Sequence, residues 1–237
     1  MKKILLRTGL ILLLVVALLF GLYKLMNART YQVFGELVPR VETQDKVVAL
    51  TFDDGPTERV DEVLPVLDEL GVKATFFLIG NELEQHPEEG KKIAAAGHEI
   101  GNHTYSHQRM VFKSPSYIKE EIEKTDRLIR DTGYGGEILF RPPNCKKLVG
   151  LPYYLWQHDR VAVTWDVEPE SAPEETDDPQ EMVRRVKEQT KPGSIILFHV
   201  MYDSRDASRQ ALRDSIVALQ EEGYRFVTVS ELMKAGE

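Results

Sequence analysis

The sequence predicts an α/β fold on a parallel β-sheet, preceded by a single membrane-spanning helix. Three observations carry this expectation. The first residues form an apolar run, short β-rich runs then alternate with helical stretches, and the chemically active side chains collect just after the β-rich runs. Strands each followed by a helix or long loop form a parallel sheet, either closed as a barrel or open and doubly wound. In both, ligands bind at the carboxyl ends of the strands.

The membrane element comes first. Gly9–Tyr23 is apolar apart from its two glycines, Ile4–Leu6 extends it around Arg7, and Leu25 and Met26 follow. That approaches the ~20 residues needed to span a bilayer. Basic residues at the front favour a cytoplasmic tip with the body outside. Residues 1–28 are therefore expected as tip and signal-anchor, 29–45 as a connector, and 46–237 as the globular domain. Cleavage as a signal peptide is the alternative, although a cut after Ala28 puts Met26 where a small residue is preferred. The 18 residues Ala28–Asp45, read as a polar tether, reach at most about 60 Å at ~3.5 Å each.

Lys46–Phe52, Ala74–Ile79 and Ser194–Phe198 are the strongest strand runs; His98–Gly101, Ile138–Phe140, Val161–Trp165 and Arg225–Thr228 are weaker ones. Ser114-Pro115 opens a helix over Tyr117–Thr132, and Asp178-Pro179 opens one over Met182–Thr190. Helices over Val63–Leu70, Pro87–Ala96 and Asp206–Glu222 each stop at a glycine.

Charge and cysteine content exclude other classes. The chain has 30 Lys+Arg and 38 Asp+Glu among 237 residues. Five of the basic residues and none of the acids lie in residues 1–30, so residues 31–237 carry a net −13. An acidic body lacks the basic footprint of a nucleic-acid binder. One cysteine, Cys145, permits neither an internal disulfide nor a multi-cysteine zinc cluster. No nucleotide, flavin or phosphate loop is visible, so no organic cofactor is expected.

Polar residues fall at successive strand ends. Asp53 and Asp54 sit in Thr51-Phe52-Asp53-Asp54-Gly55-Pro56, where a solvated turn is the plain alternative. His103 and His107 form His-x-x-x-His in a loop, without the glutamate of the zincin motif. Two histidines and a carboxylate leave open positions for water and substrate and suit catalytic Zn²⁺ or another borderline divalent ion. Asn102-x-Thr104 is formally a glycosylation sequon, read here as a false match. Arg141 precedes Pro142-Pro143-Asn144, Asp166 follows the fifth strand, and His199 ends the sixth. Trp165 reads as core; Tyr153, Tyr154 and Trp156 read as core or as a sugar-stacking wall. His86, His98 and His158 read as structural, and nothing near Cys145 suggests an activated thiol.

Taken in order, Thr-Phe-Asp-Asp-Gly-Pro, His-Thr-x-x-His, Arg-Pro-Pro and Leu-x-His resemble the polysaccharide deacetylases (NodB homology, carbohydrate esterase family 4). The resemblance covers about residues 46–230, including Val72–Phe77 and Gly97–His103. It implies a distorted (β/α)7 barrel, TIM-like, with a metal-dependent deacetylase site. It makes Asp54, His103 and His107 the metal ligands, Asp53 the general base, Arg141 its orienting partner and His199 the general acid. Leu197 would line the acetyl-methyl pocket, and the backbone N–H of Asn144 would face the oxyanion. Two departures stand out: Asn144 replaces the family's aromatic residue, and Ser171-Ala172 falls where an Asp-Trp pair is usual. Asp166, Glu168 and Glu170 are nearby replacements, with Asp166 preferred because it ends a strand. The implied reaction is hydrolysis of acetyl groups from an N-acetylated polysaccharide, peptidoglycan or a related wall glycan, by a single-pass bacterial membrane protein whose domain is extracellular. The alternatives are an O-acetyl polysaccharide esterase and a non-catalytic wall-binding protein on the same anchor.

Overall fold

The computed structural model describes residues 2–171 and 175–236. Its first helix, α1 (Lys2–Met26), contains the span Leu6–Met26, long and apolar enough to cross a membrane, and none of that window is buried against the rest of the chain. At ~1.5 Å per residue, 21 residues cover roughly 31 Å, the thickness of a hydrocarbon core.

The remaining elements alternate as expected. In chain order they are β1 (Leu37–Val38), β2 (Val47–Asp53), α2 (Val60–Glu69), β3 (Thr75–Leu78), α3 (Gly80–Gln85), α4 (Pro87–Ala95), β4 (Glu99–Asn102), α5 (Pro115–Asp131), α6 (Gly150–Gln157), β5 (Ala162–Val163), α7 (Pro179–Gln189), β6 (Ile195–His199), α8 (Asp206–Glu221), β7 (Arg225–Val227) and α9 (Val229–Lys234). All named pairings are parallel: β4-β3-β2-β6 in line, β7 on β2, and β1 on β5. Single bridges close the ring. Phe140 joins β4 to β5 through Asn102 and Ala162, and Arg40, just past β1, bridges Ser194 beside β6. The expected strand Ile138–Phe140 is thus reduced to one bridging residue, which is where the barrel is distorted.

Strand period explains where chemistry can sit. On β2, Val48, Leu50 and Phe52 pack outward against the helices, while Val47 and Ala49 pack inward with Leu139, Val163, Ile195 and Leu197. Asp53 continues the inner row and ends the strand. Its register partner on β6 is His199. Two residues at ordinary strand spacing, ~4.8 Å apart, thus deliver an acid and a histidine to the same rim.

Capping signals hold where they were read. Ser114 Oγ accepts from Tyr117 N, and Asp178 accepts from Gln180 N, each followed by Pro at the first helical position. Helices α3 and α9 were not anticipated; at six residues each they lack a readable period. Helix α6 was missed because Gly150 and Pro152 punctuate it.

The connector differs most from expectation. Far from hanging free, it is stitched into the barrel at both ends. Lys147 N donates to Met26 O at 3.4 Å, the Lys147 ammonium donates to Ala28 O, and Thr164 Oγ1 donates to Arg29 O at 2.6 Å. Further along, Ala162 N donates to Glu36 O and Thr164 N to Val38 O. Polar composition concealed this, because the bonds use backbone carbonyls.

Candidate active site

A cleft of about 610 Å³ opens at the carboxyl ends of the strands, lined by Asp53, Asp54, His103, His107, Asn144, Trp165, Glu168 and His199, among others. Left-handed backbone concentrates there: Asp54 (φ 72°), His107 (φ 54°), Asn144 (φ 52°) and Cys145 (φ 55°) all line the cleft. Such conformations cost about 1–3 kcal/mol each, and surrounding structure must over-determine them. After Asp54 only glycine fits, since a Cβ on Gly55 (φ 74°) would lie 2.6 Å from Met201 Cγ.

Asp54, His103 and His107 present one ligand atom each, all within 4.8 Å of one another. His107 Nε2 is 3.4 Å and His103 Nε2 3.9 Å from Asp54 Oδ1. His103 Nδ1 lies 2.8 Å from Arg141 O, which fixes the ring with Nε2 toward the cluster. Burial pushes the His103 imidazole down to about 4, so it stays neutral with a lone pair to give. Burial raises the Asp54 carboxyl, and Asp54 Oδ1 has no hydrogen-bond partner despite being buried. A buried, unsatisfied carboxylate oxygen between two histidine nitrogens fits a divalent cation.

Asp53 is held differently. Burial alone would raise its carboxyl, but the Arg141 guanidinium outweighs it and holds Asp53 below the ordinary value. Arg141 Nη1 donates to Asp53 Oδ1 at 2.7 Å and to Thr51 Oγ1 at 2.9 Å, and Nη2 donates to Thr164 O at 3.0 Å. The Arg141 side chain is fully buried, lying 4.0 Å over Phe77 and 5.5 Å from Trp165. Asp53 therefore remains ionised beside a candidate ligand set that uses the other aspartate.

At the opposite strand end residue, His199 Nδ1 lies 2.5 Å from Glu170 Oε2, and Glu170 Oε1 accepts His199 N at 2.7 Å. Burial would lower the imidazole, yet this pairing, with Asp53 and Asp54 adding to it, pushes His199 up to about 9. Glu170 is 1% exposed. It is the carboxylate that positions the histidine.

Asp166 does not have that role. Its carboxylate accepts from Ser194 Oγ at 2.8 Å and Ile195 N at 2.8 Å, at the amino end of β6. His199 lies four residues up the strand, roughly 13 Å away at ~3.3 Å per residue. The preference for Asp166 is corrected to Glu170. Proximity to a strand end misled, because the chain after β5 reaches the catalytic rim only four residues later. Ala172 lies outside the described residues; Ser171 lines the cleft.

Asn144 is exposed on the cleft wall, whereas Leu197 is fully buried one inward position below His199 and belongs to the barrel core. Trp165 is 6% exposed, but it also lines the cleft and donates Nε1 to Glu168 at 2.9 Å. Tyr153 and Trp156 form an exposed aromatic group with Phe34 on the surface. His98 accepts from Ala74 N, and burial raises the Cys145 thiol, so neither is poised for chemistry. Asn102 is fully buried, with its amide bound to Ile122 O and Asp126, so the sequon is closed to modification in the fold. Sequence reasoning missed Glu121, whose carboxylate accepts from Tyr105 N, Ser106 N and Ser106 Oγ and so fixes the loop between the two candidate ligand histidines. A lone glutamate inside an amphipathic helix gives no signal for that.

Comparison with known proteins agrees with this geometry. A polysaccharide deacetylase family profile matches residues 40–153. A peptidoglycan-N-acetylglucosamine deacetylase of Bacillus cereus is 30% identical over 84% of this chain and 94% of its own length. The peptidoglycan-N-acetylmuramic acid deacetylase of Bacillus subtilis is 33% identical over 82% of this chain but only 41% of its length. Among solved structures, a peptidoglycan N-acetylglucosamine deacetylase superposes with TM-score 0.77 at 32% identity, covering 84% of this chain and 92% of that one. A carbohydrate esterase family 4 pseudoenzyme from Bacillus anthracis superposes at 0.76 with 26% identity, over 86% and 70%. With these relatives and this constellation at the mouth of a distorted barrel, the chain belongs to the polysaccharide deacetylase family.

Proposed function

We propose that the chain removes N-acetyl groups from bacterial wall glycan, with peptidoglycan as the natural polymer. The observation that supports this best is the register pairing of Asp53 with His199 above three ligand atoms lying within 4.8 Å of one another. A divalent ion held by Asp54, His103 and His107, with zinc the reading we favour, would lower the pKa of a bound water toward ~7 and polarise the acetyl carbonyl. Asp53, kept ionised by Arg141, takes the proton of the attacking water. The backbone N–H of Asn144 faces the developing oxyanion. His199, kept protonated by Glu170, gives its proton to the departing amine, and the products are acetate and a free amino sugar. Leu197 supports His199 from below without forming the wall.

The deciding assay is acetate release by the full chain in detergent on peptidoglycan, N-acetylglucosamine oligomers and acetylated xylan. Release from xylan alone would favour the O-acetyl esterase, and release from none would favour a binding protein. Asp54→Ala, His103→Ala and His107→Ala should each lower bound metal, measured by elemental analysis; full stoichiometry in all three sinks the ligand assignment.

We also read α1 as a retained anchor with the domain outside. The protein should then stay in the membrane fraction through a high-salt wash and leave it in detergent. Recovery from the medium of a product beginning near Thr30 would contradict this. Wall glycan from cells lacking the protein should carry fewer free amino groups.

A further inference from the structure

The mechanism leaves three cations in the cleft without a task. Arg29, Lys146 and Arg205 line it beside the candidate ligands. Among the described residues they form one direct ion pair, with Arg29 Nη2 2.9 Å from Glu168 Oε2. Lys146 donates to the amide oxygen of Asn27; the Arg205 guanidinium makes no side-chain hydrogen bond among the described residues, though its charge acts on the Asp54 carboxyl. The rest of the body is strongly acidic, so a cationic rim is no by-product of composition.

Arg29 is the best fixed of the three. Its guanidinium lies 4.8 Å over Trp165, and Glu168, its anionic partner, is itself anchored by Trp165 Nε1. Its carbonyl is held by Thr164 Oγ1 at 2.6 Å. The side chain is still 43% exposed. A guanidinium carries five donors, and Glu168 engages one of them, so a preset fork is left for an incoming anion. Such forks grip carboxylates by paired, charge-assisted hydrogen bonds.

We infer that Arg29, with Arg205 and Lys146 on the same rim, binds a carboxylate carried by the glycan beside the acetylated sugar. The preferred substrate is then an acidic N-acetylated glycan rather than a neutral N-acetylglucosamine homopolymer. The inference rests on the deacetylase reading for its kinetic test but not for its binding test.

The test compares kcat/KM of the full chain in detergent on carboxylate-bearing peptidoglycan fragments, the same fragments with carboxylates amidated, and N-acetylglucosamine oligomers. The wild type should favour the free acids, and salt should erode the preference. Arg29→Gln should cut that preference about tenfold, chiefly through KM, with partial rescue by Arg29→Lys. Arg205→Gln should narrow it as well. If Arg29 served only to neutralise Glu168, the Arg29→Gln/Glu168→Gln double variant would recover; recognition requires that it stay low. Equal losses on acidic and amidated fragments, or recovery in the double variant, overturn the inference. If the wild type releases acetate from nothing, the deacetylase reading fails by itself. Equilibrium binding of the acidic fragment then decides, weaker binding to Arg29→Gln supporting the inference and equal binding overturning it.

Discussion

Asp53→Asn is expected to cost on the order of 10²–10⁴ in acetate release while bound metal stays near the wild-type level. The separation of effects follows from geometry. Asp53 Oδ1 is committed to Arg141 at 2.7 Å, whereas the ligand cluster draws on Asp54. Asparagine keeps an oxygen for Arg141 but offers no basic carboxylate to the water. It also leaves a fully buried guanidinium without its countercharge, and uncompensated buried charges of that kind cost about 3–5 kcal/mol. Thermal unfolding should therefore shift downward, and activity and metal are to be measured well below the new midpoint. Metal lost in parallel with activity would make Asp53 a ligand.

The second large effect belongs to a residue that touches no substrate. With His199 protonated up to about 9, the alkaline limb of turnover should fall near that pH. Glu170→Gln removes the main opposition to desolvation, and the limb should move toward the ordinary imidazole value of ~6.5. At pH 8 the protonated fraction then drops roughly thirtyfold, whereas at pH 6 the variant should lie much closer to wild type. The sign of the stability effect is fixed too. A raised folded-state value means His199 contributes stability that is fully present below its unfolded value and lost as pH rises through about 9. Wild-type stability should decline across that window more than the variant's. His199→Gln should show a loss of 10²–10⁴ with metal retained, and an unmoved alkaline limb in Glu170→Gln would remove Glu170 from the positioning role.

Some of this was legible in residues alone. Asp53 and His199 end strands, Asp54, His103 and His107 follow them, and Arg141 follows the bridging Phe140; the parallel fold gathers these ends, so order along the chain became proximity in space. The choice among Asp166, Glu168 and Glu170 was not legible. All three acids occupy one short segment, and which faces the rim depends on a backbone path that no periodicity encodes. Glu170 meets His199, Glu168 meets Arg29, and Asp166 turns to Ser194. Strand Ile138–Phe140 failed because barrel closure there needs only one bridge. Trp165 was half-read: it is core by burial and cleft wall by its indole edge.

If α1 is the retained anchor proposed above, the bonds at Met26, Ala28 and Arg29 change what that anchor does. Little slack separates the helix from the cleft, because Asn27 and Arg29, just past its end, line the cleft. The ~60 Å leash expected from the sequence contracts to nothing. With the helix in a bilayer, the site would stay beside the membrane, and its search for polymer would become a two-dimensional one set by lateral diffusion. A proteolytic cut after Ala28 would do more than release the domain. Lys146 and Lys147 would lose the oxygens they hold on Asn27 and Ala28, while Arg29 would keep Thr164, Trp165 and Glu168 as its own anchors. One cleavage would part the domain from the helix and unpin the cleft wall at Lys146 and Lys147 together.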